Sequence, residues 1–505
     1  MTMRISGFVS GLDIDKIVSD LMRARREPLN KLNQQKTIIE WKREQYREIT
    51  SKIVDFRNNK LFNYGLESNL NSKKVTISGD QGAVTAKALA GASGNMTIKV
   101  NDLATAGSAI SSVGFSTADR AKTLSELDSF DYTPSDGSDP AHPAGKIYFE
   151  INGKEIVLDE NSDSINSIVS KINNANAGVT AFVDSVTGKV ALTSKSVGDA
   201  STIEYEDPTG VLANFGFDFK EGKDASVVIN GIETTRPSNT FTENGIEITL
   251  NAKSTGTGST LQVAADTDKI MDTIKSFIND YNEMLSLVNG RLNQERFRTY
   301  KPLTAEQKEE MSEKEVELWE SKASSGLLRR DSTLSSMVSE FRLSVISSVD
   351  YNGSKINLTS LGIGTADYTQ QGKLVILNEN KLREAIESSP DEVIALFSQR
   401  SSNPDSNAAK SPSAADSGIF NRLSNSMMKA LEQLSKTAGT SRNSADVTAA
   451  FNTDNSMAEE LRSLDRRIAD MTSRLKTIEI NYYKQFTAME TAMNRYSAQA
   501  TSLFS

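Results

Sequence analysis

A single histidine and no cysteine among 505 residues leave little from which to build an active site. Without cysteine there is no thiol nucleophile, no disulfide and no thiolate metal site, and a zinc site of the usual Cys/His kind cannot be assembled from one imidazole. The histidine lies in Asp139-Pro140-Ala141-His142-Pro143. Two flanking prolines predict an exposed turn there, not the buried base of a Ser-His-Asp arrangement. Gly256-Thr257-Gly258 and Gly362-Ile363-Gly364 complete neither GxGxxG nor a phosphate loop and read as turn glycines. Asp159-Glu160 with Asp163, and Asp136 with Asp139, lack the glycine and terminal glutamate of an EF-hand loop and read as solvated turns. No pair of carboxylates is singled out for glycosidic chemistry. Trp41 and Trp319 fall in helical segments and are expected to anchor a core or an interface. The chain reads as a protein that is not an enzyme and that carries no cofactor or metal.

Charge and hydropathy narrow the partners. A formal net charge of -9 argues against a nucleic-acid partner. Arg23, Arg25, Arg26, Lys31, Lys36, Lys42 and Arg43 crowd the N-terminal segment, but Glu40, Glu44 and Glu48 alternate with the later ones, as on a solvated helix face. Residues 1–8 lack the charged and apolar regions of a secretory signal, and no apolar run of about 18 residues occurs. The expectation is a chain without a membrane span, either cytoplasmic or exported without signal cleavage.

The elements that could do work are helical and stand at both ends. Leu461, Ile468, Leu475, Tyr482, Met489, Tyr496 and Leu503 recur every seven residues, with Leu464, Met471, Ile478, Phe486, Met493 and Ala500 between them. This is a coiled-coil face on a helix of roughly 70 Å, and such a face needs a partner. At the other end Ile14, Ile17, Val18, Leu21 and Met22 follow the N-cap residue Asp13 at helical spacing. Pro28 is expected to interrupt that helix, which is then too short to persist alone and should be disordered until it docks. Leu32, Ile39, Tyr46 and Ile53 continue the seven-residue repeat beyond the proline. Near the C-terminus Leu475, Ile478, Tyr482 and Phe486 run three, four, four, a stutter that locally unwinds a left-handed supercoil. The seam before the stutter is expected to pack within the subunit and the seam after it to meet a partner. The predicted interaction residues are Ile14, Ile17, Leu21, Leu475, Ile478, Tyr482, Phe486, Met489, Met493, Tyr496 and Leu503.

Between roughly 74 and 265 the spacing changes to short alternating runs with Asn-Gly turns, which is β structure. Ile147–Ile151 and Lys154–Leu158 flank Asn152-Gly153; Asn230-Gly231 and Asn244-Gly245 punctuate two more pairs. Likeness between the Asn152 and Asn230 hairpins hints at two related β modules. Helix resumes at Asp266, with Gly290 placed to close it. Thr304 with Gln307 and Ser312 with Glu315 are capping boxes, and Ser389-Pro390-Asp391-Glu392 opens a further helix. Asn352-Gly353 and residues 372–377 suggest a small β element, while Ser398–Ser417 and Gly439–Asn455 read as mobile loops. The predicted fold is α+β and multidomain, a helical coiled-coil stalk formed by both chain ends with inserted antiparallel β head domains. Its parts are 1–35 with 481–505 as terminal legs, 36–73 with 266–480 as a helical stalk domain carrying a small β element, 74–106 with 225–265 as a first β head domain, and 107–224 as a second.

Ser10-Gly11-Leu12-Asp13, Leu21-Met22, Pro28-Leu29 and Trp41-Lys42-Arg43 resemble the opening signature of one family, the flagellar filament-capping or hook-associated protein 2 family. PLTAEQKEEMSEKEVELWESKASSGLL at 302–328, SNTFTENGIEITL at 238–250 and GKLVILNENKLREAIESSPDEVIALF at 372–397 follow in the family's order. SINSIVSKINNANAGVTA at 164–181 is similar to its flagellin-hook repeat motif, and Thr133–Gly145 looks like a local elaboration. The resemblance implies a secreted, extracellular protein at the distal tip of the bacterial flagellum, assembled as a homo-oligomeric ring, a pentamer. It also implies flagellin and the filament end as partners, an export chaperone in the cytoplasm, and a role in flagellin folding and polymerisation that prevents monomer leakage. Two other readings share the pattern: another axial component such as a filament-junction protein or minor flagellin, and a surface adhesin using the β head. Exposed Tyr or Trp in the head would favour the adhesin, yet both tryptophans lie outside it.

Overall fold

The computed structural model describes residues 13–138, 140–366 and 372–504, the side chains of 67 and 501–504 excepted. Ser10, Gly11 and Leu12 of the opening signature, and Asp139, lie outside the described residues. The chain is α+β and divides into two compact units, one of Met1–Asn71 with Thr267–Ser505 and one of Ser72–Asp266.

In the first unit a helix runs unbroken over Ile14–Asp55, 42 residues, and passes into a π-helical segment Phe56–Leu61. Pro28 lies inside this helix and does not end it, contrary to the expectation from sequence. Proline removes one backbone donor and crowds the preceding turn. Buried Met22 and Leu32 and half-buried Leu29 bind both sides of it to the rest of the unit, and tertiary packing of an apolar face outweighs the local cost. For the same reason the segment before Pro28 is helical and packed. The helix Thr267–Asn293 buries Ile270, Ile274, Phe277, Ile278, Tyr281 and Leu285. Phe277 centres an aromatic cluster, with Phe420 at 5.0 Å, Phe397 at 5.9 Å and Tyr64 at 6.3 Å between ring centroids. Gly290 sits within this helix rather than closing it; nothing stands within 4 Å of the position its Cβ would take, so no contact forces a break. Both predicted capping boxes form, and Pro390 occupies the first turn of Pro390–Ser398. The C-terminal helix covers Ser456–Phe504, 49 residues.

The second unit holds two hydrophobic cores. One lies between a five-stranded sheet (strands 73–79, 259–265, 95–102, 225–229 and 232–236 in spatial order) and a three-stranded sheet (240–243, 246–250 and 84–88). Val84, Ile98, Val100, Val227, Ile246, Ile248 and Leu261 fill it. The other core lies among a four-stranded sheet (217–220, 108–114, 189–194 and 179–183), a three-stranded sheet (154–158, 147–151 and 205–206) and the helix Ile165–Asn174. Ile147, Phe149, Ile151, Ile168, Leu192 and Phe215 fill that one. Strand pairing is antiparallel throughout the named registers. Asn152 and Gly153 take φ of 48° and 69°, and Asn230, Asn244 and Asn352 take 49°, 49° and 48° before their glycines, as type I′ hairpins require. Gly256 and Gly258 are turn glycines, both at positive φ.

Candidate assembly interface

The two end helices pair antiparallel. Asp13 caps the N-terminal helix by accepting the Lys16 N–H at 2.9 Å, and Ile14, Val18 and Met22 then fall on one buried face. That face meets buried Leu475 and half-buried Met471, Ile478, Tyr482, Tyr483 and Phe486 on the C-terminal helix. Polar contacts fix the register at two points: the Tyr483 hydroxyl donates to Asp15 at 2.9 Å, and the Lys36 ammonium donates to Asp465 at 2.7 Å. The second contact, with a lesser contribution from Glu40, raises the Lys36 pKa above its ordinary value.

Of the predicted interaction residues, Ile14, Leu475, Ile478, Tyr482 and Phe486 come together in this contact. Ile17 is half-buried beside it, and Leu21 points away, 41% exposed. Val18 and Met22 take the inward places, which sequence reasoning had not assigned. Steps of four carry Ile14, Val18 and Met22 around the helix, leaving Leu21 roughly 60° from their mean direction at 3.6 residues per turn. The signal was present, because this four-four run matches the four-four stutter at Ile478, Tyr482 and Phe486, and the two runs face each other. Packing within the chain therefore continues across the stutter instead of stopping there. Met489 is half-buried and Glu490 buried; every residue from Thr491 to Ala500 is exposed. Met493 is 37% and Tyr496 72% exposed, whereas the side chain of Leu503 lies outside the described residues.

Basic residues of the N-terminal helix, read from sequence as a solvated face, do specific work. Arg43 donates to the carbonyls of Ala438 at 2.7 Å and Asn452 at 3.1 Å, and Arg47 donates to Ala449 at 3.4 Å. Both guanidinium groups lie over the Phe451 ring, 4.0 and 4.6 Å from its centroid. Thr50 meets Thr440 at 3.1 Å, and Ser51 donates to Ala445. The loop Gly439–Asn455 is thus strapped along the helix rather than mobile, since its backbone carbonyls supply the acceptors. Gly439 starts it at φ 74°, where a Cβ would stand 2.3 Å from the Asn452 carbonyl oxygen. In Ser398–Ser417, too, Ala409, Ala414 and Ser417 are buried. Trp319 donates its indole N–H to the Lys301 carbonyl at 2.8 Å and lies 4.6 Å from the Tyr300 ring, an anchor as expected; Trp41 is half-buried. His142 is in a loop, with its ring laid on Tyr148 and Nε2 at 2.7 Å from Glu155.

These features define a class: a multidomain α+β protein whose two ends form one coiled coil and whose middle is inserted as β layers. The chain belongs to the flagellar hook-associated protein 2 family. Models of that family match residues 10–107 as its N-terminus and 222–498 as its C-terminus, and a flagellin hook IN motif matches 148–196. The chain is 30% identical to flagellar hook-associated protein 2 of Halalkalibacterium halodurans, with 99% of each chain covered. It is 26% identical to the protein of that name from Thermotoga maritima over 71% of this chain and 54% of the relative. Its fold is similar to that of the D1-D2-D3 domains of flagellar cap protein FliD from Escherichia coli, with a TM-score of 0.51, 19% identity and coverage of 83% of this chain and 99% of the other. Among the described residues no helix is long and apolar enough to cross a membrane.

Proposed function

We propose that this chain caps the distal end of a bacterial flagellar filament, outside the cell, as a homo-oligomeric ring, a pentamer by analogy with the family. In this reading the cap promotes folding and polymerisation of incoming flagellin and prevents monomers from leaking away. Its work is templating and steric retention, not catalysis, and its partners are further copies of itself, flagellin, the filament end and, before export, a cytoplasmic chaperone. The terminal legs are 1–35 with 481–505, the stalk 36–73 with 266–480, and the head the β domains 74–106 with 225–265 and 107–224.

The observation that carries the reading is the end of the C-terminal helix. After Glu490 the apolar repeat continues through Met493 and Tyr496 while the residues around it are exposed, so a coiled-coil face remains for a partner outside the subunit. Each large apolar side chain buried there contributes about 1.5 to 3 kcal/mol. Removing residues 497–505 in the source bacterium is expected to release unpolymerised flagellin into the medium and abolish motility. Normal filaments in that strain would overturn the proposal.

A further inference from the structure

Three carboxylates stand in one row across the sheet of strands 154–158, 147–151 and 205–206. Glu150 pairs with Glu155 on one side and with Glu206 on the other. Like charges directly opposite one another on a sheet repel. Ile147, Phe149 and Ile151 are committed to the core, so a register slip that separated the glutamates would expose the apolar face. Cations answer the row at one end: Lys146 donates to Glu155 at 2.7 Å, and His142 Nε2 lies 2.7 Å from the other oxygen of the same carboxylate.

The histidine is well placed. Its ring stacks on Tyr148, with centroids 3.9 Å apart and planes within 2°, which fixes the direction of Nε2. The Ser135 hydroxyl holds the His142 carbonyl at 2.8 Å, so the loop is tied down at the same point. One ligand atom each from His142, Glu150 and Glu155 lies within 4.8 Å of the other two. Donors around a single cation with bonds of about 2.0 to 2.2 Å stand roughly 3 to 3.5 Å apart, so small side-chain adjustments close the set.

We propose that His142, Glu150 and Glu155 form a surface site for a divalent transition-metal ion of the zinc class. One imidazole nitrogen with two carboxylate oxygens suits such ions better than calcium or magnesium, which take oxygen ligands alone. The site differs from a structural Cys/His centre in using three protein ligands and leaving other positions to water. Coordination uses the Nε2 lone pair and leaves the ring proton on Nδ1. Lys146 competes for Glu155 and sets the affinity. The bound ion would relieve the Glu150–Glu155 repulsion and clip the loop Thr133–Gly145 to the hairpin.

Isothermal titration of zinc chloride into the full-length chain is expected to show a saturable site of one ion per chain. His142→Asn and Glu150→Gln should each weaken it at least about tenfold, and Lys146→Met should tighten it. Unfolding midpoints recorded with EDTA check that each variant keeps its fold. A dissociation constant weaker than about 1 mM for the unsubstituted chain, or undiminished affinity in the correctly folded His142→Asn and Glu150→Gln variants, would overturn the proposal.

Discussion

The hydroxyl of Tyr46, buried in the N-terminal helix, donates to Asp331, and that same carboxylate caps the helix Ser332–Ile346 by accepting the Thr333 and Leu334 N–H groups at 3.1 Å each. One side chain thus ends the approach to one helix and fastens another. Burial, and then Asp331, push the Tyr46 phenol far above its ordinary pKa. Tyr46→Phe is expected to cost about 2 kcal/mol, the worth of a hydrogen bond to a charged group. Asp331→Ala should cost about 3 kcal/mol, because the cap is lost and the tyrosine hydroxyl is left without its acceptor. The double variant should cost less than the sum, with a coupling near 1 kcal/mol or more; additive losses in urea unfolding would contradict the shared role.

The inward and outward faces of the N-terminal helix separate stability from assembly. Met22→Ala should destabilise the helix pair by about 2 kcal/mol, at the low end for a buried methionine because the pair has solvent on its flanks. Leu21→Glu and Tyr496→Ala alter exposed positions and should leave the unfolding midpoint of the isolated chain unchanged. Under the proposed function both should nevertheless reduce motility. Equal unfolding of Met22→Ala and Leu21→Glu would contradict the assigned faces.

Release of the strap should be visible to a protease. Arg43→Ala removes one bond to the loop carbonyl of Asn452, one to the carbonyl of Ala438 just before the loop, and a cation stacked on Phe451, and cleavage within residues 441–450 should accelerate by tenfold or so, corresponding to about 1.4 kcal/mol of local opening. Arg43→Lys should recover only part of the protection, since an ammonium lacks the planar fork that reaches both carbonyls. An unchanged cleavage rate for Arg43→Ala would show that Arg47, Thr50 and Ser51 hold the loop without it.

Acid should weaken the β unit through Asp163. Burial raises this carboxyl's pKa, but Lys171 at 2.5 Å, the Asp159 N–H and the Ser167 hydroxyl, each at 2.8 Å, outweigh it and leave the value below the ordinary one. With the folded pKa lowered, the stabilisation is complete above the unfolded value of about 4 and is lost as pH falls through the folded value. Asp163→Asn should therefore cost about 2 kcal/mol at neutral pH and flatten the loss of stability below pH about 4. A variant with the same acid slope as the unsubstituted chain would contradict this assignment.

Local chemistry made part of this fold legible. An Asn-Gly pair between alternating apolar runs needs two positive φ values and nothing from the rest of the chain, which is why the hairpins at Asn152, Asn230, Asn244 and Asn352 could be read directly. Capping boxes at Thr304 and Ser312 are equally local. Whether Pro28 breaks a helix, or Gly290 ends one, depends on what packs beside it. The choice of Val18 and Met22 over Ile17 and Leu21 required the partner helix, because a repeat alone names a stripe and not its centre. The strap was hidden for a different reason: arginine bound to backbone carbonyls leaves no pattern in the acceptor residues. The glutamate row could have been found, since the Asn152-Gly153 turn already sets Glu150 opposite Glu155.

The clasp between Asp15 and Tyr483 spans 468 residues of chain. Closing a loop of that length costs about 5 kcal/mol in chain entropy beyond a constant, and it makes this contact among the most non-local the molecule has. Synthesis delivers Tyr483 468 residues after Asp15, so the two cannot meet on a chain that stops between them. Any passage that threads the polypeptide from one end imposes the same delay a second time. The pair thus forms only after everything between the two helices has arrived.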